Sequence, residues 1–352
     1  MKYSFSVIVP IYKTDFNQLE LCISSLIEQD HDLLTEIILV DDGNNEKYKQ
    51  TLVQLVNTKF KDYLDLIKLI NLKNNKGLAN ARKCGYELSS GQIIIFVDSD
   101  DWICDSQFLN KMNKYFKAYP NIDAVKHSIK RIVNNKIAKE DSLNKDVELK
   151  QIKLTINNFF DNKKYFEWCY QMLQGYVFKR ECINHSIMWN TIKDPHEDEY
   201  FFSCLMLKEL NILITNEKFY CYRILNPGSI TSSYVTHTEK SKNDLSKQFN
   251  LRLIPLEKWF TTFDNYNIYN SSVARDFWHW LCIMLSINTG VEISRKNIKF
   301  FPTNKECKRL IKKYNLFKNE RLSFLKLIYI YIVLSSKLLD RLLSKIYRKL
   351  RK

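Results

Sequence analysis

Four short apolar runs, rich in β-branched residues, punctuate the first hundred positions at 6–12, 36–40, 66–72 and 92–97. They are too short for helices and hold almost no turn formers, so they predict buried strands. Between the first two, Leu19, Cys22, Ile23, Leu26 and Ile27 recur at helical spacing. Further helices are expected over 47–60 and 78–88, the latter opened by the turn Asn74-Asn75-Lys76-Gly77. Strand alternating with helix four times predicts an α/β fold with a mostly parallel, doubly wound sheet. Right-handed crossovers then bring the strand ends carrying Tyr12, Asp42 and Asp98 to one edge.

After Asp105 the pattern loosens. A helix is expected over 108–119, extended chain over 122–132, and a polar loop or hairpin over 134–149. An aromatic helix is expected at 159–169, and a strand at 175–178 leading to a helix near Glu181. Pro195-His196-Glu197-Asp198-Glu199 opens a buried helix, and 212–224 holds two short strand-like stretches. From 236 to 352 the chain reads as helical and basic, which divides it into a 1–235 α/β domain and a C-terminal region. The last stretch, 324–352, suits a helix lying on an anionic membrane surface. It reads equally as a core helix with a solvated basic tail, and such helices can also pair two copies of the chain.

Composition narrows the classes. With 45% hydrophobic residues and only 7 glycines and 6 prolines in 352, the chain is globular. A net charge of +15 fits nucleic acid, anionic lipid or a phosphorylated substrate. No module that interleaves basic residues with exposed aromatics accompanies it, which argues against nucleic acid. Nine scattered cysteines without a paired spacing suggest reduced thiols and a cytoplasmic setting. No apolar run approaches the ~20 residues that cross a bilayer.

The chemistry concentrates in Asp98-Ser99-Asp100-Asp101, at the carboxyl end of the fourth strand, where α/β sheets bind ligands. Two carboxylates one residue apart can hold a hard divalent cation against a diphosphate. Alone, such a cluster is more often an acidic turn or helix cap. It is accompanied here by Ser6-Val7-Ile8-Val9-Pro10-Ile11-Tyr12, Val40-Asp41-Asp42-Gly43, Asn75-Lys76-Gly77-Leu78-Ala79-Asn80-Ala81-Arg82 and His196-Glu197-Asp198-Glu199. In that order and spacing the five motifs resemble family 2 glycosyltransferases of GT-A fold, over residues 4–235.

The resemblance implies a Rossmann-like GT-A domain acting on a nucleotide sugar, with UDP as the expected nucleotide. Pro10, Tyr12, Asp41 and Asp42 would line the base and ribose pocket, and Asn75, Gly77 and Arg82 its next wall. Asp98 and Ser99 would lie on the ribose side, and Asp100 would ligate Mn²⁺ or Mg²⁺. Asp101 is open between a helper and a helix cap. Asp198 matches the family's catalytic base, with Glu197 beside it raising its pKa while the helix N-terminus opposes that. Arg223 and Ser229 resemble a later element contacting the diphosphate or acceptor. The family's frequent Trp or Lys before the acidic helix is missing from Gly175-Tyr176-Val177-Phe178. The function implied is inverting transfer to a glycan or lipid-linked acceptor in bacterial surface polysaccharide synthesis, lipopolysaccharide or capsule, at the inner membrane face. The alternative is an inactive nucleotide-sugar-binding or scaffolding protein of the same fold.

Overall fold

The structure, a computed structural model, describes residues 2–133, 136–140, 149–154, 172–183, 189, 197–206 and 209–224. The chain divides into two compact units, Met1–Ser232 and Ser233–Lys352, and the described residues all belong to the first. The expected helical region 236–352, the helix at 159–169, His196 and Ser229 lie outside the described residues.

The described strands are β1 (Phe5–Ile11), β2 (Leu34–Asp41), β3 (Ile67–Asn71), β4 (Ile93–Phe96) and β5 (Trp102–Ile103), followed by β6 (Ala124–Val133), β7 (Lys136–Glu140), β8 (Leu149–Leu154), β9 (Tyr176–Lys179) and β10 (Leu210–Arg223). The described helices are α1 (Phe16–Ile27), α2 (Glu46–Lys59), α3 (Leu78–Leu88), α4 (Phe108–Ala118) and α5 (Glu197–Met206). One sheet takes all ten strands, with the path β3-β2-β1-β4-β9-β6-β10-β5 and with β7 and β8 beside β6 and β10.

Strands β1 to β4 are mutually parallel, as the alternating pattern predicts. Strands β1, β2 and β4 are buried almost throughout, which is why they read as continuous apolar runs, whereas β3 at the end of the sheet path buries Ile67 and leaves Lys68 and Asn71 exposed. Val7, Val9, Ile37, Leu39, Ile93 and Ile95 pack with Leu19, Ile23, Leu26, Leu52, Phe108 and Met112 of α1, α2 and α4. On the opposite face Ile38 and Val40 meet Ala81 of α3. Helix α3 closes tightly on the sheet because Gly85 has no Cβ; one there would lie 2.4 Å from Ile8 Cγ2. Pro10 is tolerated inside β1 because its nitrogen points toward β4, whose ladder ends at the Ile8–Phe96 pair.

The second half of the sheet departs from the parallel expectation. Strand β9 inserts antiparallel between β4 and β6, and β5, β7 and β8 also pair antiparallel. Among the described strands there, only β6 and β10 are parallel neighbours. The two stretches expected over 212–224 form one strand. Its ladder to β6 shifts register around Lys218, at the polar interruption that looked like a break. The helix expected near Glu181 is a single 3-10 turn, Arg180–Cys182. Within the polar 134–149 stretch, β7 pairs with β6, and β8 begins at its end.

At the sheet edge away from the site, buried Glu36 joins three segments. It accepts from Ser6 Oγ (2.6 Å) and Ser90 Oγ (2.9 Å), and its other oxygen pairs with Lys68. Burial alone would raise its pKa; the Lys68 ammonium and the hydrogen bonds from Ser6 and Ser90 outweigh that and pull it down to about 2. A depressed carboxylate stabilises the fold above its unfolded pKa, and that contribution is lost as pH falls through the folded value. The Glu36→Gln variant is therefore expected to be less stable by roughly 1–3 kcal/mol near neutrality. In denaturant titrations its deficit should shrink from pH 5 toward pH 2; a deficit independent of pH would refute the assignment.

Candidate active site

The carboxyl ends of β1, β2 and β4 carry the predicted residues to one edge, and two loop-to-loop clasps set their positions. Asn44 makes the first. Its amide accepts from Lys13 N–H (2.9 Å) and donates to Ile11 O (3.2 Å) and Asp41 Oδ2 (2.9 Å). Lys13 takes a left-handed φ of 55°, which carries the chain away from β1 and leaves Tyr12 exposed beside it. Asp41 is fully buried, and its carboxylate accepts the Asn44 backbone and side-chain donors. It therefore lies beneath the loop that was expected to present it to a base and ribose.

Asp42 makes the second clasp. Its two oxygens accept the backbone N–H groups of Lys76 (2.8 Å) and Gly77 (2.9 Å), where α3 begins. Gly77 starts that helix at φ 94°, and Gly43 turns at φ 70°. A Cβ on Gly43 would lie 2.2 Å from the Asn74 and Asn75 backbone. Asn75 Oδ1 is buried without a hydrogen-bond partner among the described residues.

Arg82 is the centre of the site. It lies on the buried face of α3 with Ala79, Gly85 and Tyr86, and it is fully buried. Its Nη2 donates to Asp98 Oδ1 at 2.9 Å, and its Nη1 donates to Glu197 Oε1 at 3.3 Å and to Asp198 Oδ1. Burial opposes the guanidinium charge; Asp198, Asp98 and Glu197 outweigh it and hold Arg82 protonated. Glu197 is pushed well up, first by burial and then by the Asp198 charge. Asp198 is also raised, again chiefly by burial, while Arg82 pulls it back. The increase at Asp198 was expected from Glu197; it comes from burial, and the acid whose charge adds to it is Asp98.

The turn 98–101 is held from several sides. Ser99 Oγ lies 2.6 Å from Thr14 Oγ1. Asp98 also accepts from Gln174 Nε2, and the Asp98 N–H donates to Tyr220 OH (3.1 Å). Asp101 is neither helix cap nor crevice residue: it is buried against β10, and the chain continues as β5. Arg223 packs its guanidinium over Trp102, 4.9 Å from the ring centre, and donates from Nε to Asp100 O (3.0 Å). Asp100 itself is half-buried. Sequence reasoning missed Asn44, Gln174 and Tyr220. Asn44 had a signal, an Asx residue just after an Asp-Gly turn; the other two are unremarkable within their segments.

Among the described residues, no group of three or more His, Cys, Asp and Glu is arranged to hold a metal ion. One carboxylate on a turn still fits a divalent cation whose remaining ligands are diphosphate oxygens and water. No described helix is long and apolar enough to cross a membrane.

The described sheet is a mixed α/β sheet, parallel through β1 to β4, with glycine-turned loops and clustered carboxylates at the carboxyl ends of those strands, where open α/β sheets take ligands. Residues 6–179 match Glycosyl transferase family 2, and the chain carries a domain of that family. An uncharacterized glycosyltransferase of Haemophilus influenzae is 32% identical over 31% of this chain and 40% of its own length. The chain thus matches less than half of that relative. The Escherichia coli UDP-Glc:alpha-D-GlcNAc-diphosphoundecaprenol beta-1,3-glucosyltransferase WfgD is 28% identical, over 66% of this chain and 81% of its own. The crystal structure of S. aureus TarS 1–349 in complex with UDP-GlcNAc superposes with a TM-score of 0.54 at 16% identity, covering 89% of this chain and 88% of that one. At that identity the likeness speaks for the fold.

The clasp at Gly43 predicts a sharp steric effect. The Gly43→Ala variant combines a left-handed φ with a backbone collision and should lose roughly 2–4 kcal/mol in chemical denaturation. A loss below about 1 kcal/mol would show that the two loops separate easily.

Proposed function

We propose that the protein is an inverting glycosyltransferase that moves a sugar from a UDP-sugar to a hydroxyl group of a bacterial surface glycan or its lipid-linked precursor. The observation that carries this reading is the joining of Asp98 and Asp198, one hundred positions apart, by one buried arginine at the carboxyl edge of the sheet. A donor-side turn and an acceptor-side base are thereby held in one frame. The UDP donor draws support from WfgD, named for UDP-Glc, and from the TarS complex with UDP-GlcNAc. WfgD is also named for a diphosphoundecaprenol acceptor, which supports a lipid-linked acceptor here.

In this reading Asp198 is the general base. Glu197, the more strongly raised of the pair, holds a proton first, so Asp198 remains ionised beside Arg82. The acceptor hydroxyl gives its proton to Asp198 as its oxygen attacks the anomeric carbon. The bond from that carbon to the diphosphate breaks, and its electron pair leaves with UDP. One displacement without an enzyme nucleophile inverts the configuration. Asp100 would hold Mn²⁺ or Mg²⁺, which offsets charge on the departing diphosphate. Arg223, beside Asp100, is suited to the same diphosphate, and Tyr12 to stacking against the base. A lipid-linked acceptor would be met at the inner membrane face through the basic region 236–352, whose alternative use is pairing with a second copy of the chain.

The test is calorimetric titration of UDP with and without Mn²⁺, alongside sugar transfer. The Asp100→Ala variant should lose the Mn²⁺-dependent part of UDP affinity. Asp198→Asn should bind UDP as the wild type does, with transfer slower by about 10²–10⁴-fold. Absence of UDP binding by the wild type would overturn the donor, and normal transfer by Asp198→Asn would overturn the base.

The pH profile gives a separate check. Because Asp198 is raised, the acid limb of kcat/KM should lie above the ordinary aspartate value of about 3.9. Arg82 pulls Asp198 down, so Arg82→Gln should move that limb upward by about 1–3 pH units. An unmoved limb would mean that another group governs it.

A further inference from the structure

We propose that Tyr220 and Asp101 are positioning residues of the diphosphate site, fixing from β10 the turn that presents Asp100. This rests on the nucleotide-sugar reading above and adds to it two side chains that never reach the crevice: Tyr220 is fully buried and Asp101 is 1% exposed.

The geometry is that of a hydroxyl used in both directions. Tyr220 OH accepts the Asp98 N–H at 3.1 Å and donates to Asp101 Oδ2 at 2.8 Å. It therefore ties the first residue of the turn to the last. Asp101 Oδ1 accepts the Arg223 N–H at 2.7 Å, which anchors the same carboxylate to the end of β10. Arg223 Nε reaches back to Asp100 O at 3.0 Å. The backbone on either side of the Asp100 side chain is thus pinned to β10.

Each partner is chemically specific. Only a group that both donates and accepts can bridge a backbone N–H and a carboxylate, and a phenolic hydroxyl does so. The Asp101 carboxyl group in turn accepts from two donors, one on each oxygen. The Tyr220 ring packs in the main apolar core with Phe219 and Ile103, so the hydroxyl's position is set by core packing and not by the turn. Strand β5 adds a second restraint, since Ile103 pairs with Tyr220 and Trp102 with Cys221. Removing a side chain that orients a metal ligand typically costs 10- to 100-fold in metal affinity or activity.

The experiment compares Tyr220→Phe with Tyr86→Phe. Tyr86 is also fully buried, and its hydroxyl donates to Ile183 O at 3.1 Å, away from the turn. Both variants keep the ring and remove one buried hydroxyl, Tyr220→Phe breaking its bonds to Asp98 and Asp101 and Tyr86→Phe those to Ile183 and Arg180, so both should lose stability in denaturant. UDP is titrated calorimetrically with and without Mn²⁺. Tyr220→Phe should lose about 10- to 100-fold in the Mn²⁺-dependent affinity, with Tyr86→Phe unchanged. Asp101→Asn, which keeps one acceptor oxygen, should lose less than Tyr220→Phe and serves as the second arm if that variant folds poorly. Equal affinity in Tyr220→Phe and wild type, or an equal loss in both tyrosine variants, overturns the positioning role alone. A wild type that binds no UDP removes the nucleotide reading and this role together.

Discussion

A guanidinium shut away from water must be matched by carboxylates, because an unpaired buried charge costs several kcal/mol. Arg82 satisfies that condition by drawing Asp98, Glu197 and Asp198 around it. These acids come from the turn after β4 and the start of α5, so the pairing constrains three elements at once: α3, the 98–101 turn and α5. Three carboxylates around one cation also cannot all be ionised comfortably. Burial raises both Glu197 and Asp198, and the Arg82 charge pulls both back, so one contact ties the packing of these elements to the charge on the two adjacent acids.

The remaining acids of the edge follow a different logic. Asp41, Asp42 and Asp101 accept hydrogen bonds from neighbouring loops and strands, chiefly from backbone N–H groups. Buried N–H groups at loop ends need acceptors, and a short carboxylate supplies two at once. Such residues shape the crevice from beneath it. A rigid floor of this kind suits transfer chemistry, in which reacting atoms must be held close and in line.

Much of the fold could be read directly from the chain. The first four strands and α1 to α3 appear within a few residues of their expected limits, because β1, β2 and β4 are buried on both faces and each helix has one apolar stripe. The second half was less legible. The expected parallel continuation is replaced by β9, inserted between strands distant from it in sequence, and local patterns carry no information on such pairing. The polar residues at 215–218 made 212–224 read as two short stretches, yet the ladder passes them through a register shift.

The candidate site divides along the same line. Sequence alone determined which residue types stand at the strand ends, since strand termini and glycine turns are encoded locally: Asp42, Gly43, Gly77, Asp98, Asp100 and Asp198 were each named from their motifs. Only the tertiary structure decided what those side chains touch. Arg82 read as a donor near a nucleotide and proved to be the bond between two acidic motifs. Tyr220, an ordinary core tyrosine by pattern, places its hydroxyl between Asp98 and Asp101. The physical reason is distance along the chain. A hydrogen bond between residues more than a hundred positions apart depends on how every intervening element packs, and no local run of residues specifies that.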